Sequence, residues 1–386
     1  MAPEEKMMTG INKHVAIVGA GAAGSICAYY LLKSNIDVTI FDKGVPLRTL
    51  LPTGGGRCNL AHAEYNFKEL AKNYPRGEKF LYSVFSKFST TDTLDLFEEL
   101  GIKTYTQEDG RIFPKTDSAK FVREKILTHI SKYVVRENVL DITHCENGYK
   151  IKTSNAEYLF SHVVLAPGGH SGFSLAEKLG IKIIPPRPSL VGLNTEENFQ
   201  KLSGTVVGNC QAEGFEGNLL FTHFGVSGPL IYKISSVKAF DKLPYNIEID
   251  LCPFLENFQE ILNTNPHKEI KNILGKYLPQ KLASYLLNEL NETEKCYNIN
   301  GKMRNLILEK IHSFKIKVTG TNRGEETVTA GGVNLDEINP KTMEIKELPK
   351  LYCIGEFLNI DGYCGGFNLQ NAWSTAYVAA MGILSD

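Results

Sequence analysis

Three glycines at a fixed spacing, Gly19, Gly21 and Gly24, are the residues of this 386-residue chain whose chemistry is easiest to interpret. They follow an apolar run, 15–18, that predicts a buried parallel strand, and they precede a stretch, 25–32, with helical spacing. Gly19 permits the tight turn from strand to helix, Gly21 lets the backbone approach a pyrophosphate, and Gly24 lets helix and strand pack closely. The spacing therefore predicts a phosphate held by free N–H groups at the positive end of a helix.

An acidic residue extends this interpretation to a nucleotide. A second strand, predicted over 36–41, ends in Asp42, where a carboxylate can accept both hydroxyls of a ribose. Strand, turn, helix, strand and acid in this order predict a nucleotide-binding βαβ unit. The other residues placed beside the ligand are Ala20, Ala22, Ala23 and Lys43. By itself, this unit would suit NAD and FAD equally well.

Two further segments carry side chains that could take part in a reaction. Residues 53–59 read TGGGRCN, in which Arg57 can meet an anionic group and Asn59 supplies a donor and an acceptor together. The alternative for this segment is a flexible surface loop. In 222–229, THFGVSGP, His223 is a candidate for proton transfer, although most histidines are structural or exposed. Arg57 and His223 are the candidate catalytic residues.

The C-terminal region contains another glycine-rich motif. A predicted strand ends in Gly355 and Glu356, and a carboxylate there can hydrogen-bond a polyol. Gly365 and Gly366 then open a helix that begins near Asn368, and its N-terminus, aimed at a ring, would favour negative charge on that ring. The alternative is an ordinary C-terminal helix that packs on the sheet.

The rest of the chain gives its organisation. A strand ending at Ala166 leads into Pro167, Gly168 and Gly169, where backbone can touch a cofactor. This stretch lacks the spacing of the first turn, so one dinucleotide site is predicted. Helical spacing over 78–100 predicts a single helix.

The overall composition limits the classes of partner. Basic and acidic residues nearly balance, 42 against 43, and the formal net charge of −1 leaves no electrostatic footprint for a polyanion, so no nucleic-acid partner is expected. A polar N-terminus, and the lack of the roughly 18 apolar residues that a membrane span needs, predict a cytoplasmic protein without a membrane partner. The eight cysteines include no CxxC pair, which indicates reduced thiols. No metal site is predicted, and no oligomeric state is indicated.

Taken together, the motifs resemble the YhiN/BaiN-like flavoproteins, often described as aminoacetone oxidase family FAD-binding enzymes, which have the glutathione-reductase-like FAD fold. The matching segments occur in the family's order along almost the whole chain: 15–24, 53–59, 110–114, 165–172, 222–229, 329–333 and 355–368. The chain departs from the family's pattern at Thr49, Cys364 and Asn371.

The resemblance implies an α/β fold, with a Rossmann-like FAD-binding domain built on a parallel sheet, an inserted β-barrel-like domain and a small helical subdomain. The implied boundaries are 1–187 with 325–386 for the FAD-binding domain, 188–252 with 311–324 for the β domain, and 253–310 for the helical subdomain. FAD is the implied cofactor. Besides the first turn, Asp42 and Lys43, the residues implied to bind it are Arg57, Cys58, Asn59, Val139, Ala166, Pro167, Gly168, Gly169, Gly355, Glu356, Gly365, Gly366, Phe367, Asn368 and Leu369.

The implied activity is that of an FAD-dependent oxidoreductase, in which a hydride moves between flavin N5 and a small organic substrate. Whether NAD(P)H takes part as a reductant stays open. Because only one dinucleotide site is predicted, any NAD(P)H would have to visit the flavin transiently, and a reductase cycle is favoured over an oxidase cycle. Three alternatives stay open: a redox pair of Cys58 and Cys364, a flavoprotein that modifies RNA, and a non-catalytic flavin-binding protein. The sequence does not name the substrate.

Overall fold

A computed structural model describes residues 13–322 and 328–386 of the chain. Its helices, in chain order, are α1 (Ala22–Lys33), α2 (Phe67–Ala71), α3 (Glu78–Phe85), α4 (Thr90–Glu99), α5 (Ala119–Ile130), α6 (Phe173–Lys178), α7 (Pro229–Val237), α8 (Phe258–Asn263), α9 (Ile270–Leu274), α10 (Gln280–Leu286), α11 (Gly301–His312) and α12 (Phe367–Ser385). The polar N-terminal residues 1–12, on which the predicted cytoplasmic location partly depends, and the predicted boundary between 324 and 325 lie outside the described residues.

The strands complete the secondary structure. In chain order they are β1 (His14–Val18), β2 (Asp37–Phe41), β3 (Ala61–His62), β4 (Thr104–Thr106), β5 (Arg111–Pro114), β6 (Val134–Val135), β7 (Val139–Cys145), β8 (Gly148–Thr153), β9 (Glu157–Phe160), β10 (His162–Leu165), β11 (Ile183–Ser189), β12 (Leu193–Thr195), β13 (Val206–Ala212), β14 (Phe215–Phe221), β15 (Gly225–Ser227), β16 (Tyr245–Ile249), β17 (Phe314–Thr321), β18 (Val328–Val333), β19 (Glu344–Ile345) and β20 (Leu348–Cys353).

The chain divides into two compact units, residues 1–186 with 329–386, and residues 187–328. The first unit contains a six-stranded sheet in the order β19-β20-β10-β1-β2-β6, in which only β19 runs antiparallel to its neighbour. The apolar run 15–18 lies in β1, inside this sheet, and is buried throughout. A parallel strand covered on both faces has a continuous apolar sequence. The predicted α/β class with a Rossmann-like parallel sheet is therefore confirmed.

The two ends of the chain meet in this first unit. Strand β20 pairs with β10, and α12 packs against α1. Because α1 begins at the first glycine turn and α12 begins at the last glycine pair, the two glycine-rich motifs belong to neighbouring helices of one unit.

The second unit is built around an antiparallel sheet in the order β13-β14-β15-β12-β17-β16. Its edges meet where Gln211 and Asp250 exchange backbone hydrogen bonds of 2.9 and 2.8 Å, so the sheet closes on itself. This closure confirms the predicted β-barrel-like insertion. Helices α8 to α11 come between β16 and β17 in the chain, and their apolar side chains join those of the sheet in one buried cluster. The separation of 253–310 as a subdomain stays a prediction.

The single helix predicted over 78–100 is two helices. Helix α3 ends at Phe85 and α4 begins at Thr90, because Ser89 and Asp92 start a new helix. The side chain of Asp92 accepts a hydrogen bond from the backbone N of Ser89 at 2.7 Å. This pairing is half of a capping box, a signal that hydrophobic periodicity alone does not reveal.

Candidate active site

The three glycines of the first turn differ in what surrounds them. Gly19 has a φ of +108°, a conformation that favours glycine, and a Cβ there would overlap the carbonyl oxygen of Ala166. A Cβ at Gly24 would overlap the carbonyl oxygen of Gly19, because α1 packs directly on the turn. At Gly21, the N-cap of α1, no described atom lies within 4 Å of the place a Cβ would take. Packing therefore requires Gly19 and Gly24, whereas Gly21 faces open space at the positive end of the helix.

Asp42 follows β2 directly and lies beside this turn. Its Oδ2 accepts a hydrogen bond from the backbone N of Ala20 at 2.7 Å, and its Oδ1 accepts one from the backbone N of Gly44, also at 2.7 Å. These two bonds orient the half-buried carboxylate, and each oxygen keeps a lone pair for another donor. Asp42 can therefore accept hydrogen bonds from the hydroxyls of a ribose. The neighbouring Lys43 is exposed.

Segment 53–59 is anchored by Arg57. Its Nε donates to the carbonyl oxygen of Gly54 at 3.3 Å, and its guanidinium lies 4.1 Å from the centre of the Phe113 ring, a cation–π arrangement. A Cβ at Gly54 would lie 2.8 Å from the same ring. Since Phe113 belongs to β5, two segments that the sequence singled out are in contact.

Cys58 lies in this segment as a buried thiol. Burial raises the pKa of Cys58 to about 12, although its hydrogen bond with Thr53 acts in the opposite direction. A thiol with such a pKa stays protonated at neutral pH and is a poor nucleophile. Cys364 is exposed, and every cysteine of the chain carries a thiol rather than a disulfide.

Asn59 joins segment 53–59 to the N-terminus of α12. In the amide orientation that satisfies its neighbours, its Nδ2 donates to the carbonyl oxygens of Ala61 and Ile112 at 3.0 and 3.2 Å. Its Oδ1 then accepts a hydrogen bond from the backbone N of Gly366 at 3.0 Å. A Cβ at Gly366 would lie only 2.5 Å from the carbonyl oxygen of Ala61, so this close approach requires glycine.

The beginning of α12 is held by its own side chains and by aromatic neighbours. The amide of Asn368 both accepts from and donates to the backbone of Gly362, each at 2.8 Å. Phe367 stacks on the His62 ring at 4.7 Å, and the hydroxyl of Tyr74 donates to the Phe367 carbonyl oxygen at 2.6 Å. Nδ1 of His62 lies 3.1 Å from the carbonyl oxygen of Gly365. Both polar atoms of the Asn368 amide are therefore occupied by hydrogen bonds to the loop that precedes α12.

Glu356 forms a second polar cluster in the first unit. Its Oε1 accepts a hydrogen bond from the backbone N of Thr329 at 3.0 Å, and a Cβ at Gly169 would lie 2.9 Å from its Cδ. Burial raises the pKa of the Glu356 carboxyl, although the N–H of Thr329 and the charge of His170 act in the opposite direction. His170 is exposed, and its Nδ1 lies 3.3 Å from the hydroxyl of Thr329.

Side chains of α12 also position the turn before Glu356. The backbone N of Gly355 donates to Oγ1 of Thr375 at 3.0 Å, and Nδ2 of Asn371 lies 3.5 Å from the Gly355 carbonyl oxygen. Oδ1 of Asn371 is buried and has no hydrogen-bond partner among the described residues. A buried acceptor without a donor is costly, so a bound hydroxyl or water would satisfy this atom.

The remaining predicted residues have less specific surroundings. At Gly168, which has a φ of +84°, no described atom lies within 4 Å of a Cβ position, and Pro167 packs against Gly172. Val139 begins β7 and is buried. His223 lies in the second unit and is exposed, in the turn between β14 and β15. Within residues 13–322 and 328–386, no group of three potential ligands is arranged to hold a metal ion.

Sequence reasoning missed four residues that shape this region: His62, Tyr74, Thr329 and Arg76, of which Arg76 forms an ion pair with Asp361. The sequence analysis noted Thr329 only as part of the segment 329–333. His62, Tyr74 and Arg76 lie in stretches without a glycine-rich motif. The contacts of His62, Tyr74 and Arg76 are with residues at least 285 positions away, and that of Thr329 is with a residue 27 positions away. Only the placement of His62 just after segment 53–59 could have drawn attention to it.

The fold and the similarities of the chain define its class: it is an FAD-dependent oxidoreductase. More particularly, the chain belongs to the family described as HI0933-like protein Rossmann domain, which matches residues 13–382. The family resemblance inferred from the motifs is thereby confirmed.

Similar proteins cover nearly the whole chain. A ribosomal RNA dihydrouridine synthase of Haemophilus influenzae is 33% identical over 95% of this chain and 97% of its own. A ribosomal RNA dihydrouridine synthase of Escherichia coli K12 is 30% identical over 96% of this chain and 97% of its own. A 3-dehydro-bile acid delta(4,6)-reductase of Clostridium scindens is 26% identical over 95% and 97%. Among solved structures, the open conformation of a flavocytochrome c3 fumarate reductase aligns with 97% of this chain and 78% of its own, at a TM-score of 0.51 and 13% identity, which shows a shared fold alone.

These findings bear on the predicted partners. Two relatives are named for ribosomal RNA, so the expectation that nucleic acid is not a partner gains no support. In the described part of the chain, no helix combines the length and the apolar character needed to cross a membrane. The cytoplasmic location and the use of NAD(P)H stay predictions.

Proposed function

We propose that this protein uses FAD to reduce a carbon–carbon double bond conjugated to a carbonyl, and that uridine in ribosomal RNA is its substrate. The observation that carries the proposal is the similarity, at 33% and 30% identity, to two relatives named ribosomal RNA dihydrouridine synthase. Dihydrouridine is uridine with its C5=C6 bond reduced, and that bond is conjugated to the C4 carbonyl. The name delta(4,6)-reductase of a third relative also describes the reduction of double bonds.

The first turn and its neighbours fit the phosphate and adenosine parts of FAD. Gly21 and Gly168 face open space, so backbone at both places is accessible to a ligand. The pyrophosphate would lie on the turn 19–24, with Ala20, Ala22 and Ala23 beside it. Asp42 would hold the adenosine ribose, because its carboxylate is already oriented by two N–H groups. The residues assigned to the rest of the adenosine half are Lys43, Val139, Ala166, Pro167 and Gly169.

The C-terminal motifs fit the flavin part. Gly355 and Glu356 would lie along the ribityl chain, where the buried Oδ1 of Asn371 lacks a donor and ribityl hydroxyls could supply one. Residues 57–59 and 365–369 would border the ring. The N-terminus of α12 then contributes positive potential, which favours negative charge on a reduced ring system.

The chemistry that bound FAD would supply is a hydride, taken from NAD(P)H, for C6 of the uracil ring, while C5 gains a proton. The chain itself must bind the RNA, hold the base and deliver this proton. We assign the binding of an anionic group to Arg57, whereas proton transfer by His223, a residue of the second unit, stays a prediction from the sequence.

The experiment is an anaerobic reduction assay on ribosomal RNA that lacks modifications. Purified protein, expected to be yellow with FAD, is mixed with NADH or NADPH and the RNA, and dihydrouridine is measured by mass spectrometry of the nucleosides. We expect bleaching of the flavin by at least one nicotinamide and formation of dihydrouridine at a defined position. A variant with Asp42→Ala, which should bind FAD weakly, is the control.

A different result would reject this function. FAD-loaded protein that is reduced but leaves every uridine unchanged would exclude the RNA substrate. Failure of both nicotinamides to bleach the flavin would favour an oxidase cycle, and a colourless protein that FAD cannot reconstitute would exclude flavin chemistry altogether.

The second candidate is a reductase of small conjugated ketones. It is favoured by the near-zero net charge, which gives no basic footprint for RNA, and by the small substrate in the name of the Clostridium scindens relative. The same assay with a cyclic conjugated ketone in place of RNA distinguishes the two. Reduction of the ketone without reduction of uridine would select this candidate.

A further inference from the structure

A buried ion pair lies behind the loop that leads into α12. Nε and Nη2 of Arg76 donate to the two carboxylate oxygens of Asp361, in a bidentate arrangement. The Asp361 side chain is 0% exposed and the Arg76 side chain 14% exposed, so the pair is shielded from water. Their backbones also pair, as an antiparallel bridge. Charges at such a position act over longer distances than charges in water.

The segment around Arg76 supports the same loop at two other points. We call residues 361–366 the glycine loop. The backbone N of Tyr363 donates to the carbonyl oxygen of Asn73 at 3.0 Å, and the Tyr74 hydroxyl donates to the carbonyl oxygen of Phe367 at 2.6 Å. Residues 73–76 therefore contact the glycine loop at its first residue and in its middle, and contact the residue that directly follows it.

The two charges act on groups along this loop in opposite directions. Burial raises the pKa of the Tyr363 hydroxyl; the Arg76 charge lowers that pKa and the Asp361 charge raises it. The Asp361 charge also contributes, after burial, to the raised pKa of Glu356. Substitution of one partner by a neutral residue changes the net charge behind the glycine loop by one unit, and this change acts along the loop.

We propose that the Arg76–Asp361 pair is a positioning element of the flavin site, which fixes the glycine loop and keeps the charge behind it balanced, so that it sets the reduction potential of the flavin. This inference rests on the proposed placement of the ring at 365–369. Reduction adds negative charge to the ring system. A change of the net charge behind the loop in the positive direction therefore favours reduction, and a change in the negative direction opposes it.

The test uses the FAD-loaded full chain and three variants. Asp361→Asn leaves the Arg76 charge, Arg76→Gln leaves the Asp361 charge, and the double variant removes both. Midpoint potentials are measured by anaerobic titration with dithionite in the presence of reference dyes. We expect a higher potential in Asp361→Asn, a lower one in Arg76→Gln, and a value near that of the wild type in the double variant. Lys72→Gln removes a charge from an exposed pair with Glu69 nearby and should leave the potential unchanged.

Opposite shifts distinguish this role from a purely structural one. A structural role would weaken FAD binding in both single variants and shift their potentials in the same direction or not at all, and either result would overturn the inference. If Arg76→Gln does not fold, a raised potential in Asp361→Asn that the double variant restores would support the inference, and an unshifted potential would overturn it. A wild-type protein that binds no FAD would instead reject the proposed function.

Discussion

Nε1 of Trp373 donates a hydrogen bond to the carbonyl oxygen of Leu60 at 2.9 Å, and thereby joins the C-terminal helix to the residue that follows segment 53–59. Both residues are buried, and Phe97 packs against the indole with ring centres 5.4 Å apart. Trp373 is the only tryptophan of the chain. One side chain thus connects a motif near the beginning of the sequence to one near its end.

The Trp373→Phe variant should be less stable than the wild type. The phenyl ring retains most of the packing but leaves the buried carbonyl oxygen of Leu60 without this donor, which costs about 1–3 kcal/mol. Urea unfolding followed by circular dichroism measures the difference. Tyr297→Phe, at a side chain that is 63% exposed, is the control and should change stability by less than about 0.5 kcal/mol. Equal stabilities of the two variants would contradict the importance of this bond.

Alanine should have different effects at Gly21 and Gly24. In Gly21→Ala, the new Cβ points into open space, so the FAD-free protein should keep its stability while its affinity for FAD falls by about tenfold or more, or about 1.4 kcal/mol. In Gly24→Ala, the Cβ overlaps the Gly19 carbonyl oxygen, so the protein itself should lose about 1–3 kcal/mol, although alanine normally stabilises a helix. Thermal unfolding and FAD titration measure the two effects.

This comparison has a result that would reject the assigned phosphate site. FAD affinity that is unchanged in Gly21→Ala would show that the ligand does not approach the N-cap of α1. A stable Gly24→Ala variant would contradict the close packing of α1 on the turn.

Thiol reactivity should separate Cys364 from Cys58. At pH 8, the exposed Cys364 should react quickly with Ellman's reagent, whereas Cys58, with a pKa of about 12, should react only after unfolding. The rapid phase should disappear in Cys364→Ser. If that variant also keeps full turnover, the redox pair of Cys58 and Cys364 is excluded; loss of turnover would support it.

Neutralising Glu356 should stabilise the FAD-free protein at neutral pH. Burial raises the pKa of its carboxyl above the ordinary 4.5, so the folded state binds the proton more tightly than the unfolded state does. The stabilisation of the folded state by this proton is fully present below the ordinary pKa, and it is lost as the pH rises through the raised pKa. Glu356→Gln should remove this loss and be more stable than the wild type at pH 7.

A second carboxyl provides a control of opposite sign. The hydroxyl of Thr153 donates to Oε2 of Glu137 at 2.6 Å and lowers the pKa of Glu137. Its stabilisation is present above the ordinary pKa and is lost as the pH falls, so Glu137→Gln should be less stable than the wild type at pH 7. Urea unfolding at several pH values measures both variants, and a shift of the same sign in both would contradict the assignment.

The parts of the site that follow from local sequence could be predicted. The turn 19–24 depends on glycines within one strand and one helix, and their spacing identifies it. Asp42 follows from the length of α1 and β2. By contrast, the pairs Arg76–Asp361 and Trp373–Leu60 join residues 285 and 313 positions apart, and nothing in the local pattern of either partner indicates the other. The break between α3 and α4 was missed because a capping box at Ser89 overrides a continuous helical periodicity.

His223 illustrates a limit of a different kind. Its glycine-rich neighbourhood made it a candidate, but the residues around it belong to the second unit, and local composition does not indicate what faces an exposed turn. His62, in an unremarkable stretch, is the histidine that contacts the glycine loop.

Because the first unit is assembled from both ends of the chain, it cannot finish folding until the C-terminal segment has been synthesised. Strand β10 emerges from the ribosome with one edge unpaired, and its partner β20 follows only after residues 187–328 have been made. At about 5–20 residues per second, the ribosome needs on the order of ten seconds to reach β20. During that interval the open edge of β10 and the face of α1 that α12 later covers are available for wrong pairing.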